Sequence, residues 1–214
     1  MNNNFFDKNN LSAPKSESNK EERKNDPRAK MREVIEWLEI LSSALIIVVI
    51  VFGFIFRVAT ISGTSMLNTL HNEEMVIITN LFYTPKQGDI VVISRNIENS
   101  VISESEGSGP IIKRVIATEN QTVDIDFLQG IVYVDGKALQ ENYISTPTTT
   151  KHDIEFPVTV PKGHIFVLGD NRGVSLDSRS SNIGENGMID ERYVLGHAVY
   201  RIFPFKKIGS LTNK

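Results

Sequence analysis

The chain has 214 residues, of which 40% are hydrophobic and 23% are charged, a composition typical of a folded protein with one large or two small domains. Its net charge of -3 indicates no nucleic-acid partner. The absence of cysteine excludes disulfides, thiolate catalysis and cysteine-ligated metal sites. The four histidines lie far apart and form no H-x-x-x-H pair, so we predict no metal site.

The first segment is polar, with about thirty residues rich in Asn, Lys, Glu and Ser that have almost nothing to bury. Ordering such a segment costs backbone entropy without compensation. We therefore predict a disordered cytoplasmic tail over residues 1–36.

The second segment is an apolar run, "EWLEILSSALIIVVIVFGFIF", from Glu36 to Phe56. Its last 19 residues give a helix of roughly 28 Å, close to the hydrocarbon core of a bilayer at about 30 Å. A buried core helix would have a polar stripe, and a cleaved signal peptide would have a shorter charged region before it. We predict an uncleaved transmembrane anchor over residues 37–57.

Basic residues are distributed unequally around this anchor. Arg28, Lys30 and Arg32 precede it, whereas Arg57 follows it closely and the next basic residue is Lys86. Positive charge is retained on the cytoplasmic side. The bias predicts a cytoplasmic N-terminus and an extracytoplasmic domain over residues 58–214.

The remaining chain consists of short β-branched runs of strand length separated by turn residues, which predicts one all-β domain with a small inserted β subdomain at about 120–162. Asp135-Gly136 predicts a two-residue hairpin turn, because both central positions favour positive φ. Residues 95–110 and 145–153 are predicted loops. The predicted strands are "MVIIT" (75–79), "DIVVIS" (89–94), "IIKRVIA" (111–117), "TVDID" (122–126), "IVYVDGKAL" (131–139), "HIFVLGD" (164–170) and "HAVYRIF" (197–203).

Two residues are candidates for catalysis by an activated hydroxyl. Ser65 lies in "ISGTSMLNTL" just after the anchor, and a serine needs a neighbouring base to become a nucleophile. Lys113 lies within an apolar run, where strand alternation can send it inward. Burial lowers the pKa of a lysine from about 10.4, which favours the neutral amine of a general base. The alternative, favoured by composition alone, is a lysine that snorkels to water.

A third stretch, "FVLGDNRGVSLDSRSS" (166–181), has an unusual density of small and charged residues. Asp177 and Arg179 are spaced to pair locally, and the Ser175 hydroxyl is of a type that holds an uncharged lysine amine. The alternative is a polar surface turn.

Together these stretches resemble the bacterial type I signal peptidases, serine proteases with a Ser/Lys dyad. The resemblance rests on "SGTSMLNTL", "GDIVVI", "IKRVIA" and "GDNRGVSLDSR", in the order and spacing of that family, and extends to "LGHAVYRIFPF" (195–205). It implies a mainly β fold of the signal-peptidase/LexA-like type after a single N-terminal transmembrane helix. It also implies an enzyme without metal or cofactor.

Carried over by position, the resemblance implies that Ser65 is the nucleophile and Lys113 the general base. It implies that Ser175 orients the lysine amine and that Asp177 and Arg179 form a supporting pair. The backbone N–H of Ser65 would serve the oxyanion hole.

Two positions near the serine differ from the pattern. Gly63 stands where some members place a further hydroxyl donor, which leaves backbone donors there. Asn68 stands where the family usually has proline, and asparagine leaves the turn more freedom. We expect activity to survive this change.

The implied function is removal of N-terminal signal peptides at Ala-x-Ala sites of exported preproteins. The implied location is the plasma membrane, in the lipid bilayer and near the secretion translocon. One alternative is a LexA-like self-cleaving protease, which needs a DNA-binding segment and a cleavable bond such as Ala-Gly; this chain has no Ala-Gly dipeptide. The other is a catalytically inactive membrane-anchored binding module.

Overall fold

The structure, a computed structural model, describes residues 27–94 and 110–212. The first 26 residues of the predicted tail and almost all of the predicted 95–110 loop lie outside them. The chain divides after Val51 into two compact units, and the second, from Phe52, contains both β-sheets. The predicted mainly β fold after one N-terminal helix is confirmed.

Helix α1 spans Pro27–Ile55 and contains a segment, Lys30–Gly53, that is long and apolar enough to cross a membrane. Residues 27–36 are therefore helical, and their assignment to a disordered tail is wrong. Proline is favoured in the first turn of a helix, and the Arg, Lys and Glu residues that follow are good helix formers. At the other end, Phe56 and Arg57 belong to the first strand and not to the anchor.

Eight strands form one antiparallel sheet in the order β1-β2-β11-β3-β4-β9-β10, with β12 paired to β11. Their bounds are β1 Phe56–Thr60, β2 Met75–Thr79, β3 Ile90–Ile93, β4 Ile111–Ala117, β9 His164–Leu168, β10 Ile189–Asp190, β11 Val194–Phe203 and β12 Gly209–Ser210. Short 3-10 helices at Glu191–Tyr193 and Phe205–Lys207 flank β11.

Four further strands form a second antiparallel sheet in the order β7-β6-β5-β8. Their bounds are β5 Thr122–Asp126, β6 Ile131–Val134, β7 Lys137–Ala138 and β8 Val158–Thr159. Asp135 and Gly136 join β6 to β7 with φ of 51° and 74°, as a two-residue hairpin turn requires. Val123 and Val132 of this sheet share a hydrophobic cluster with Phe166 of the larger sheet. Because the two sheets share this core, a separate inserted subdomain stays a prediction.

The larger sheet also supports the segment after β1. Met66 and Leu70, from the turn between β1 and β2, are buried against Val76, Ile78 and Ala198 of β2 and β11. Alternate side chains of β2 point into this cluster, which is the two-residue period of a half-buried strand. The sheet thus holds the Ser65 segment through apolar side chains that follow the serine.

Candidate active site

Residues 61–74, here called the Ser65 turn, leave β1 and return as β2. Two backbone hydrogen bonds close the base of the turn: Ile61 N–H donates to Glu74 O at 2.8 Å, and Glu73 N–H donates to Ile61 O at 2.9 Å. Leu70 N–H donates to Met66 O at 2.9 Å. Ser65 is half-buried between the exposed Thr64 and the buried Met66, so its hydroxyl lies at the edge of the core.

Lys113 reaches Ser65 from the central strand β4. Its side chain is buried, with only 2% of the residue exposed, and its Cα lies opposite that of Val91 in β3. The Lys113 Nζ is 3.0 Å from Ser65 Oγ, within a hydrogen bond. Two side chains 48 positions apart in sequence are thus in direct contact, and the lysine does not snorkel to water.

Residues 169–181, here called the polar loop, bind the backbone of the Ser65 turn. Asn171 N–H donates to Ser65 O at 2.9 Å, and Asn171 Nδ2 donates to Thr64 O at 3.1 Å. A Cβ added to Gly169 would lie 2.6 Å from Ser65 O and 2.2 Å from Ser175 Oγ. Only glycine allows the loop to approach the serine this closely.

Ser175 is buried beside Gly169. Within residues 27–94 and 110–212, its hydroxyl has no hydrogen-bond partner. The structure therefore brings Ser175 close to the Ser65 backbone without a hydrogen bond to the Lys113 amine. Its role in orienting the lysine stays a prediction.

Asp177 and Arg179 form a fully buried ion pair, with Arg179 Nε 2.8 Å from Asp177 Oδ1 and Nη2 3.0 Å from Oδ2. Asp177 Oδ2 also accepts the Gly169 N–H at 3.0 Å. Burial acts to raise the pKa of Asp177, but the Arg179 hydrogen bond and charge, the Gly169 N–H and the charge of Lys113 together hold that pKa below its usual value. Asp177 is therefore an anion.

The same arginine fixes the loop backbone around Ser175. Arg179 Nη2 donates to the carbonyl oxygens of Arg172 at 2.8 Å and of Ser175 at 3.1 Å. The Asp177–Arg179 pair thus contacts both sides of the segment that carries the Ser175 hydroxyl.

A second buried pair, which the sequence interpretation missed, joins β4 to the polar loop. Arg114 donates from Nε to Asp170 Oδ1 at 2.9 Å and from Nη2 to Oδ2 at 2.7 Å. Asp170 also accepts the Thr69 hydroxyl. An arginine beside Lys113 in an apolar strand was a signal for such a partner, because a buried guanidinium needs an anion.

A third buried pair was also missed. Arg172 binds Glu141 with Nη2 2.5 Å from Oε1, and its Nε donates to Gly169 O at 3.0 Å. Arg172 thus binds the carbonyl oxygen of Gly169, whereas Asp177 binds its N–H.

Gly63 and Asn68 lie at the rim of the site. Gly63 is exposed with φ of 95°, and its N–H donates to Asn72 Oδ1 at 3.0 Å. Asn68 is exposed and follows a cis peptide bond from Leu67. It lines a cavity together with Arg114 and Tyr143, among other residues.

Across residues 27–94 and 110–212, no group of three or more His, Asp or Glu side chains is placed to hold a metal ion. The site itself presents a buried lysine amine, a serine hydroxyl and the backbone N–H groups around them. That set is suited to acyl transfer by a serine.

Comparison with known proteins identifies the family. Residues 34–203 match the model of a family described as signal peptidase, peptidase S26. The chain belongs to this family.

Two relatives are similar to this chain over most of their length. A probable signal peptidase I-1 from Synechocystis sp. is 35% identical over 180 residues, which cover 82% of this chain and 86% of the relative. A signal peptidase I from Bacillus licheniformis is 31% identical over 189 residues, covering 84% and 94%. A crystal structure of a signal peptidase I from Enterococcus faecalis V583 is 25% identical, covering 54% of this chain and 97% of that one, at a TM-score of 0.38. The family assignment is taken from the sequences.

This signal peptidase is a serine endopeptidase that removes signal peptides from preproteins, which confirms the predicted function. The family model and the apolar helix α1 also indicate a membrane-anchored protein. The self-cleaving regulator and the inactive binding module are not needed to explain the chain.

Proposed function

We propose that Ser65 is the nucleophile and Lys113 the general base of this signal peptidase. The observation that carries the proposal is the 3.0 Å distance between Lys113 Nζ and Ser65 Oγ. The base must lie within hydrogen-bond reach of the proton it removes, and it does. Burial of the amine favours its neutral form, which is the form that accepts a proton.

The reaction divides into acylation and deacylation. Ser65 Oγ attacks the scissile carbonyl carbon while its proton moves to Lys113 Nζ, and a tetrahedral oxyanion forms. The same proton then passes to the leaving nitrogen, the C–N bond breaks, and the mature protein departs as an amine. Lys113 then takes a proton from water, which attacks the acyl-enzyme ester. The bond between the acyl carbon and Ser65 Oγ breaks, Lys113 gives its proton to Ser65 Oγ, and the signal peptide departs as a carboxylic acid that ionises in water. The Ser65 N–H stabilises the oxyanion, a contribution of about 3 kcal/mol for one such donor.

The supporting residues act on geometry and charge. Asp177 lies close enough to Lys113 that the lysine charge lowers the pKa of Asp177, and by reciprocity Asp177 favours a protonated lysine. Arg179 neutralises that carboxylate, so the pair holds the loop without holding Lys113 in its charged form. We assign the orientation of the amine to the Ser175 hydroxyl, which is buried beside Gly169 and has no other hydrogen-bond partner among the described residues.

We also propose that α1 spans the plasma membrane with its N-terminus in the cytoplasm and residues 58–214 outside. Arg28, Lys30 and Arg32 before the apolar stretch, against Arg57 after it, support this orientation. The substrates are then preproteins with small residues of the Ala-x-Ala type before the cleaved bond, met in the bilayer near the secretion translocon. Protease added to protoplasts is expected to degrade residues 58–214, and protection of that domain would reverse the orientation.

The dyad is tested with the full chain in detergent and a preprotein that carries an Ala-x-Ala site. We expect Ser65→Ala and Lys113→Met each to reduce kcat/KM by more than about a thousandfold, because each removes one half of a coupled unit. Ser62→Ala, an exposed serine of the same turn, and Lys137→Met, an exposed strand lysine, are the matched controls and should retain activity. Equal cleavage by wild type and both dyad variants would refute the assignment.

A further inference from the structure

The cavity beside Asn68 is lined by charged and polar side chains that the proposed dyad chemistry does not use. Its volume is about 320 Å³, at the lower end of the range for ligand pockets, roughly 300–1,000 Å³. Asn68, Arg114, Tyr143 and Arg201 line it, among other residues. Two guanidinium groups in one small cavity point to an anionic ligand, because arginine is the side chain that best matches a carboxylate.

The charge of Arg114 is already balanced. Arg114 holds the Asp170 carboxylate with two hydrogen bonds, and its Nη1 donates to Gly88 O at 2.7 Å. The Tyr143 ring covers the guanidinium, with Arg114 Cζ 3.9 Å from the ring centroid. Arg114 is therefore a fixed wall of the cavity, and its pairing leaves no surplus of positive charge.

The charge of Arg201 is not fully balanced. Arg201 shares the buried carboxylate of Glu74 with Lys207, at 2.7 Å from Arg201 Nη1 and 3.4 Å from Lys207 Nζ. A third basic group, His71 Nδ1, lies 3.5 Å from the same carboxylate. Within the described part of the chain, all side-chain hydrogen bonds of Arg201 come from its Nε and Nη1. The Arg201 side chain is 18% exposed, so its Nη2 is left to a ligand that enters the cavity.

The cavity lies one turn of the chain from the nucleophile. Leu67 N–H donates to Thr64 O at 3.2 Å, so the chain turns directly after Ser65. In a turn of this helical type, residues three positions apart, here Ser65 and Asn68, are neighbours at roughly 5–6 Å. An extended substrate advances about 3.3 Å per residue, so its second residue beyond the cleaved bond lies about 7 Å from the attacked carbon. That residue is within reach of the cavity.

The chemistry around the serine indicates which side of the cleaved bond the cavity serves. Met66, next to Ser65, and Ile112, next to Lys113, belong to one hydrophobic cluster. Apolar surface suits the small residues proposed before the bond, whereas a cavity lined by arginines does not. Side chains two positions apart in an extended chain point the same way, so the last residue before the bond and the second residue after it face the enzyme together.

We propose that this cavity binds an acidic side chain of the mature protein, at the second residue after the cleaved bond, through Arg201 Nη2 and the Asn68 amide. This inference rests on the proposal that Ser65 is the nucleophile. A guanidinium N–H donates a charge-assisted hydrogen bond to a carboxylate, and the Asn68 side chain supplies a further N–H donor. Proline, which the family usually has at this position, offers no such donor. Asn68 thus makes the recognition a property of this chain.

The experiment compares preproteins that share one Ala-x-Ala site and carry Glu, Gln or Lys at the second residue after the bond. With the full chain in detergent, we expect kcat/KM to be about tenfold higher for Glu than for Gln, and lower still for Lys. Arg201→Gln should reduce the Glu-to-Gln ratio to about one, and Arg201→Lys should restore part of it, because the contact depends on the charge. Asn68→Pro should lower the ratio about threefold, since one neutral donor is lost. Arg192→Gln changes an exposed arginine bound to Asp190 and is the matched control that should keep the wild-type ratio.

Each ratio is measured within one variant and does not depend on how much of that variant is folded. A wild type that cleaves the Glu and Gln preproteins equally, or an Arg201→Gln variant that keeps the wild-type ratio, would overturn the inference. If Arg201→Gln yields no folded protein, wild-type ratios in Arg201→Lys and Asn68→Pro would overturn it instead. An equal preference for Glu at the first or third residue after the bond would also overturn it, because general charge attraction and not this cavity would be the cause. Loss of the preference with Ser65→Ala inactive refutes the subsite alone, whereas activity of Ser65→Ala refutes the dyad.

Discussion

The Ser65 turn and the polar loop meet at one serine but hold their shapes by different means. The turn uses backbone hydrogen bonds and two buried apolar side chains, Met66 and Leu70, and much of its surface is exposed. The polar loop buries Arg172, Asp177 and Arg179 completely and pairs every one of them. The comparison indicates a division of roles, in which a rigid buried loop is the template on which an exposed turn is positioned.

The variant with the largest expected effect removes one partner of the buried ion pair in the polar loop. We expect Arg179→Met to lower the free energy of unfolding by about 3–5 kcal/mol, because it leaves the buried Asp177 without its partner. Lys151→Met breaks an exposed pair with Glu155 and should change stability little. Urea unfolding of the full chain in detergent measures both. Equal stability of the two variants would mean that the loop is not the rigid partner.

The Asp177–Arg179 pair also makes the free energy of unfolding fall as the solution becomes acidic. The folded-state pKa of Asp177 lies below 3.8, its ordinary value, so its contribution is fully present above that pH. It is lost as the pH falls below 3.8 and through the folded-state pKa. The stability gap between wild type and the Arg179→Met variant should therefore narrow over that range.

The next test asks whether catalysis needs the close approach of the polar loop to the Ser65 turn. Gly169→Ala places a methyl group 2.2 Å from Ser175 Oγ and 2.6 Å from Ser65 O, so the loop has to move away from the turn. We expect kcat/KM to fall about a hundredfold, since small displacements of reacting groups have effects of that size. Gly209→Ala meets no atom within 4 Å and is the control. Full activity in the Gly169→Ala variant would show that the close approach is not needed.

A smaller effect is expected where only one of two contacts is removed. Asn171→Ala loses the side-chain hydrogen bond to Thr64 O but keeps its backbone hydrogen bond to Ser65 O. We expect kcat/KM to fall about fivefold, in line with one hydrogen bond worth about 1 kcal/mol. Asn182→Ala, which changes an exposed asparagine, is the matched control. A loss as large as that of Gly169→Ala would mean that this side chain, and not the loop backbone, positions the turn.

The sequence predicted the parts of this arrangement that depend on local pattern. The bounds of β2 and β4 agree with the predicted runs, and the Asp135-Gly136 hairpin is present, because two-residue alternation and turn chemistry are readable within a few positions. Ser65 and Lys113 were candidates from their local sequence, and their roles were assigned by resemblance to a family. The structure brings them together.

What the sequence did not predict depends on distant contacts. The Arg114–Asp170 pair joins residues 56 positions apart, and no local pattern indicates which carboxylate meets which arginine. The steric need for Gly169 arises only when the Ser65 turn packs against it. The start of α1 at Pro27 was missed because polar helix formers resemble a disordered tail in composition.

The smallest expected effect concerns how the Asp177 carboxylate of the polar loop acts on the protonation of Lys113. Because Lys113 must be neutral to accept a proton, kcat/KM should rise with pH on the alkaline side. Asp177→Asn removes the anion that favours the protonated lysine, while its amide oxygen still accepts the Gly169 N–H. The rising limb should move to lower pH, by less than about 1 unit because Arg179 already compensates the charge. Asp124→Asn, an exposed carboxylate of the smaller sheet, should leave the limb in place. A limb that stays fixed or moves to higher pH in Asp177→Asn would mean that the polar loop positions Ser65 without influencing the charge of Lys113.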